Sequence, residues 1–159
     1  MMQNIKSLVE ILNGELLLYK DLLDIAVKKT DIIVQGKINE LDKITKIEGN
    51  IILKLANLED KRESSLRNFS KEKEITITEL CKILPAESEE MKKLQKNLKD
   101  VLNKLEQRNS LNKSLINQSL EYINSMIDFI SSSLEQDNGM YEATGTFRMV
   151  PSSLIDKKV

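Results

Sequence analysis

The stretch "TDIIVQGKINELDKI", residues 30–44, decides how this chain is folded. On its N-terminal side Ile5, Leu8, Leu12, Leu16, Tyr19, Leu23, Ala26 and Ile33 stand mostly three or four apart, with Thr30 filling one step. That is the period of a helix with one buried stripe. Gly14 interrupts the stripe without having to end the helix. On the C-terminal side Ile38, Leu41, Ile44, Ile47, Ile51, Leu55, Leu58 and Leu66 repeat the period, the aliphatic stem of Arg62 filling one step. Between the two stands Gly36, suited to the left-handed conformation that closes a helix. Lys37 is a poor N-cap, so a kinked continuous rod is also open. Such a rod would leave its stripe without a partner, whereas a hairpin lets the two halves bury each other. The expected reading is the reversal.

Beyond the second helix, "NFSKEKEIT" (68–76) breaks the pattern. "TITELCKIL" (76–84) reads as a short helix, because Thr76 stands three residues before Glu79 in a capping-box arrangement. Pro85 stops it or begins the next. A last helix then runs to about residue 136, and its halves differ. Met91, Leu94, Leu98, Val101, Leu102 and Leu105 fill an arc of about 100°, enough for one buried face. From Leu115 onward, Ile116, Leu120, Tyr122, Ile123, Met126, Ile127, Phe129, Ile130 and Leu134 widen the arc to about 180°. Charges thin out in step: only Lys113, Glu121, Asp128 and Glu135 lie between Leu111 and Glu135. This half carries apolar surface for more than one neighbour, and whatever its own chain leaves uncovered needs another partner.

After Gln136 no period survives. The segment 137–159 is expected to be a flexible tail with apolar docking points such as Tyr141 and Phe147. The expected fold is all-α: an elongated bundle of three long antiparallel helices plus one short helix. Its helices lie at about 2–35, 37–68, 76–84 and 86–136, within a bundle domain of residues 1–136.

Composition narrows the function. Histidine is absent, which removes the commonest general base and metal ligand. The one cysteine, Cys81, cannot form an intrachain disulfide or a structural zinc site and reads as a small buried hydrophobe. No glycine-rich phosphate loop precedes a Lys-Ser or Lys-Thr pair. Acidic pairs such as Glu59–Asp60 and Glu89–Glu90 read as solvated helix faces. The formal net charge of -1, with finely interleaved signs, gives no footing for nucleic acid. The opening "MMQNIKSLVEILNG" lacks the pattern of a secretory signal, and the apolar runs are far too short to span a membrane. We expect a cytoplasmic protein that is not an enzyme and takes no cofactor or metal.

Two amides, Asn109 and Asn112, fall in the row that the last helix should bury. Three readings are open. They form a polar layer in the seam that fixes register; they are exposed where the facing helices end or diverge; or they touch a partner directly. In each case they mark the boundary between a scaffold half and a stickier half.

The sequence resembles the FlgN family of flagellar export chaperones. The features that carry the likeness are "LLLYKDLLDIAVKKTDIIVQGKINELDKITKIE" (16–48), "LEDKR" (58–62) with Arg62, "ITITELCKIL" (75–84), "NSLNKSLINQSLEYI" (109–123) and "YEATGTF" (141–147). Lys37 departs from the better N-cap that the family tends to show. The resemblance implies a cytoplasmic chaperone for hook-associated proteins of the hook–filament junction. It would hold them, prevent premature assembly and deliver them to the export gate. The family's C-terminal helix and tail are associated with client capture. This points to Leu115, Ile116, Leu120, Tyr122, Ile123, Met126, Ile127, Phe129, Ile130, Leu134, Tyr141 and Phe147, on a chain that is a monomer when free. The alternative is a structural coiled-coil adaptor or self-associating rod, in which a second copy covers the wide apolar arc. A membrane-surface helix is disfavoured, since no lysine-rich face opposes the apolar one.

Overall fold

The computed structural model describes residues 2–70 and 74–141. Among them all regular structure is helical: α1 (Met2–Val34), α2 (Ile38–Arg67), α3 (Ile77–Ile83), a 3-10 turn (Pro85–Glu87) and α4 (Ser88–Tyr141).

The reversal at Gly36 is present, and its hydrogen bonds show how it closes. Gly36 has φ +67°, where a side chain would be strained. Its N–H donates to the carbonyl of Ile33 at 3.1 Å, and the N–H of Lys37 donates to that of Ile32 at 3.2 Å. This Schellman pairing satisfies carbonyls that the end of α1 leaves open. Lys37 makes no side-chain cap to α2.

From this turn α1 and α2 run antiparallel. Lys29 meets Glu48 at 2.8 Å, and Arg62 meets Glu15 at 3.5 Å. Both pairs are centred on the same point of the sequence, between Ile38 and Asn39, as an antiparallel register requires. The helices approach closely at Gly14, where an added Cβ would lie 3.1 Å from Cδ1 of Leu58.

The first part of α4 lies along α1 in the same direction. Ile5, Leu8, Leu12 and Leu16 share a core cluster with Met91, Leu94, Leu98 and Val101. Further on, Leu22 and Ala26 pack with Leu55 and Leu105. The short segment 74–84 joins this core. Leu80 and Cys81 are buried in the first cluster, against which Ile75, Ile77 and Leu84 pack. Its start is held by a complete capping box: the Glu79 N–H donates to Thr76 Oγ1 at 3.2 Å, and the Thr76 N–H donates to Glu79 Oε2 at 2.9 Å. Pro85 opens the 3-10 turn, and the buried Ser88 hydroxyl donates to the Pro85 carbonyl at 2.9 Å.

The buried stripes differ in places from the sequence reading. Along α1, Leu22, Ile25 and Glu15 are buried while Tyr19 and Leu23 are half-buried. Along α2 only Ile44 and Leu55 are buried; Ile38 is 77% exposed and Ile47 53%. Ile38 opens α2 immediately after the turn, and Ile47 stands about 60° off the line through Ile44 and Leu55. In α4, Leu102 is exposed beside its buried neighbours Val101 and Leu105.

The helix also outlasts its expected end at 136 and reaches Tyr141. A lone glycine at 139 costs a helix about 1 kcal/mol but does not end it, and no proline intervenes. The chain divides into two compact units, and the division falls between Asn117 and Gln118.

Candidate protein-binding face

In the first unit, Asn112 is 3% exposed, the one buried asparagine among the described residues. Its Nδ2–H donates to the main-chain carbonyl of Ala26 at 2.9 Å. Its Oδ1 accepts from the Thr30 hydroxyl at 2.6 Å, and that hydroxyl also lies 3.1 Å from the Ala26 carbonyl. The amide thus joins α4 to α1 with donor and acceptor both used, as burial of a polar group requires. Asn109, by contrast, is exposed and lines shallow surface clefts of the first unit. The two amides therefore occupy different environments.

On α1 the buried polar residue is Glu15, its side chain 4% exposed. Arg62 divides its guanidinium between Glu15 at 3.5 Å and Glu59 at 3.4 Å. Burial pushes the Glu15 carboxyl above its ordinary range; Arg62 pulls it down and Glu59 pushes it up. Tyr19 is raised by burial and by the same two acids. Sequence reading passed over Glu15, although it stands seven residues after Leu8 and three after Leu12, on their stripe. Arg62 on the facing stripe was the signal that could have found it.

Leu115 and Ile116, the last of the first unit's candidates, are half-buried. The second unit begins at Gln118 and carries the rest. Leu120, Tyr122, Ile123, Met126, Phe129, Ile130 and Leu134 are exposed, Tyr122 to 66% and Phe129 to 73%; Ile127 is half-buried. Helical spacing gathers them on one side of this segment. Glu121, Asp128 and Glu135, seven residues apart, form a line on the opposite side. An apolar face of this extent is more than scattered surface hydrophobics account for. Tyr141 is the last residue of α4, not part of a tail, and Phe147 lies outside the described residues.

Other features do not converge on chemistry. A cleft of about 470 Å³ lies between the end of α2, residues 74–78 and Gln95. Arg62, Arg67, Glu59 and Glu63 line it with mixed charge around Leu66, Ile75 and Ile77. Cys81 is buried, and burial raises its thiol pKa, opposing thiolate chemistry. Among the described residues no group of three or more metal-ligating side chains is assembled, and no helix is long and apolar enough to cross a membrane.

The described residues define an all-helical protein whose first unit has its own core and whose second carries an exposed apolar face. Comparison with known proteins gives it a family. The model described as FlgN protein matches residues 1–148, and the chain belongs to the FlgN family, chaperones of flagellar export and not enzymes. It is also similar to a Bacillus subtilis (strain 168) protein described as "Uncharacterized protein YvyG", 28% identical over 127 residues, covering 79% of each chain. No solved structure matches.

Proposed function

We propose that the chain is a cytoplasmic chaperone for hook-associated proteins of the hook–filament junction, preventing their premature assembly and delivering them to the flagellar export apparatus. Family membership supports the flagellar export role. The observation that carries the client reading is the exposed apolar face from Leu120 to Leu134. Leu115, Ile116, Tyr141 and Phe147 also contact the client. A client's terminal segment lays an apolar stripe against these residues, a helix-in-groove contact. Before capture the chain is a monomer. Asn112 acts as a polar layer in the scaffold seam, and the exposed Asn109 does not share that layer.

The test is capture of purified hook–filament junction proteins by the full chain and by its Phe129→Glu and Tyr122→Glu variants. The proposal expects both variants to lose most of the client while keeping their helical content. Unchanged capture by both would refute it. Sedimentation of the free chain checks the monomer, since a tight dimer covering this face would favour the self-associating rod.

A further inference from the structure

The formal net charge of -1 conceals a separation along α4. Every charged residue from 118 to 141 is acidic: Glu121, Asp128, Glu135 and Asp137. The first part of the helix is the reverse. Between residues 92 and 104 it carries Lys92, Lys93, Lys96, Lys99 and Lys104, with Asp100 the one acid among them. At about 100° per residue these lysines share an arc of about 140° and a length of about 18 Å. The arc lies opposite the buried stripe of Met91, Leu94, Leu98, Val101 and Leu105. All the lysines are exposed. Lys92 has Glu89 at 3.8 Å, whereas Lys93, Lys96, Lys99 and Lys104 form no ion pair among the described residues. Like charges three and four residues apart, as at Lys92, Lys96 and Lys99, destabilise a helix. An opposing charge from outside relieves that repulsion.

The rest of the arc selects the partner. Besides the lysines it holds only Asp100 and Asn103. No apolar or aromatic side chain stands there to anchor a folded partner, whether another protein or a second copy of this chain. Exposed ion pairs alone hold such partners weakly, and the acids on a second copy meet the same limit. Grooves for single-stranded nucleic acid add aromatic side chains on which bases stack, and none is present here. A bilayer surface needs no anchor. Its anionic headgroups are many and mobile, and its potential acts on every lysine at once.

We propose that this lysine face docks the chain on an anionic lipid surface. The contact is electrostatic and peripheral, since nothing in the arc enters the hydrocarbon. The lysine face alone carries this; only its use in delivery rests on the proposed function. Export crosses a membrane, and a chaperone held loosely on the inner surface keeps the lateral freedom to reach the export apparatus.

The test is sedimentation of the full chain with vesicles of phosphatidylcholine alone, and of phosphatidylcholine with about one third phosphatidylglycerol. The chain should pellet with the anionic vesicles only, and less so as salt is raised. Each lysine of the face should contribute about fivefold, so Lys96→Gln/Lys99→Gln should bind about 25-fold more weakly with helical content unchanged. Lys43→Gln/Lys61→Gln removes the same charge from exposed positions of α2 and should bind as the native chain does. Equal binding to neutral and anionic vesicles, native-like binding by the Lys96/Lys99 variant, or an equal loss in the α2 variant would each overturn the proposal. So would a short RNA bound more tightly than the vesicles through the same lysines, or a dimer of the free chain that the Lys96/Lys99 variant dissociates. Capture of a junction protein in solution, without vesicles, is a separate readout. The Lys96/Lys99 variant should capture as the native chain does, so lipid docking and the client reading stand or fall independently.

Discussion

Asn112 of α4 and Ala26 of α1 are joined by a buried hydrogen bond, side-chain amide to main-chain carbonyl, of 2.9 Å. It lies where the α1–α4 contact is nearly spent, since α1 ends at Val34, one turn beyond Thr30. Replacing Asn112 by alanine removes this bond and the one from Thr30 and should cost about 1–2 kcal/mol of stability. Asn112→Asp should cost more, because it substitutes a buried charge for the donor that Ala26 requires. Urea unfolding of the three proteins checks the order. An aspartate variant as stable as the alanine one would show that the site is wet.

The buried carboxyl of Glu15 makes a pH prediction. Its pKa in the folded chain lies above the ordinary carboxylate range, chiefly through burial. As pH falls from neutral through that raised value, the folded state takes up a proton before the unfolded state does. The cost of the buried charge is therefore present at neutral pH and is relieved as pH falls toward the ordinary range. Glu15→Gln should flatten this part of the profile. The stability difference, native chain minus variant, should grow as pH is lowered from 7 toward about 5. Parallel profiles in urea would show that Arg62 holds the carboxylate ionised throughout.

Gly36 sits at φ +67° with open space around its Cα. Gly36→Ala therefore meets no steric neighbour and is penalised by backbone conformation alone, by about 1–2 kcal/mol. The loss should appear as a lower thermal midpoint with unchanged helix content. A neutral substitution would mean that the turn relaxes into the kinked continuation which Lys37, a poor cap, leaves open.

Cys81 offers a reporter for the segment that closes the core. It is buried in the same cluster as Leu8 and Met91, so a thiol reagent reaches it only when α3 opens. The capping box that starts α3 is worth about 1 kcal/mol. Thr76→Ala should accordingly speed labelling of Cys81 about fivefold, with a much smaller change in global stability. Equal labelling rates would place the opening elsewhere than at α3.

Much of this was readable in the residues, for reasons that differ by position. The hairpin was legible because Gly36 interrupts two periodic stripes, and α3 because Thr76 and Glu79 have the spacing of a reciprocal cap. The apolar face was legible because its arc is too wide for one neighbour. Glu15 was not, since a carboxylate on a stripe reads as an interruption until Arg62 is seen across from it. Ile38 and Ile47 were misread as buried because period alone does not tell how narrow a seam between two helices is. The end of α4 was set too early because Gly139 signals a break as readily as it is tolerated in a helix.

The last prediction separates scaffold from face by contrasting two apolar side chains on different helices. Leu12 is fully buried among α1 and α4 residues, whereas Phe129 is 73% exposed. Leu12→Ala should destabilise by about 2–5 kcal/mol through lost burial and the cavity left behind. Phe129→Ala should change stability by less than about 0.5 kcal/mol, because it removes little that the fold covers. Client capture should show the reverse order at a temperature where both variants remain folded: nearly intact for Leu12→Ala, strongly reduced for Phe129→Ala. Thermal unfolding and capture of a purified junction protein, measured on the same preparations, decide it. If Phe129→Ala lowers stability as much as Leu12→Ala does, the aromatic belongs to a core and the face is not free to receive a client.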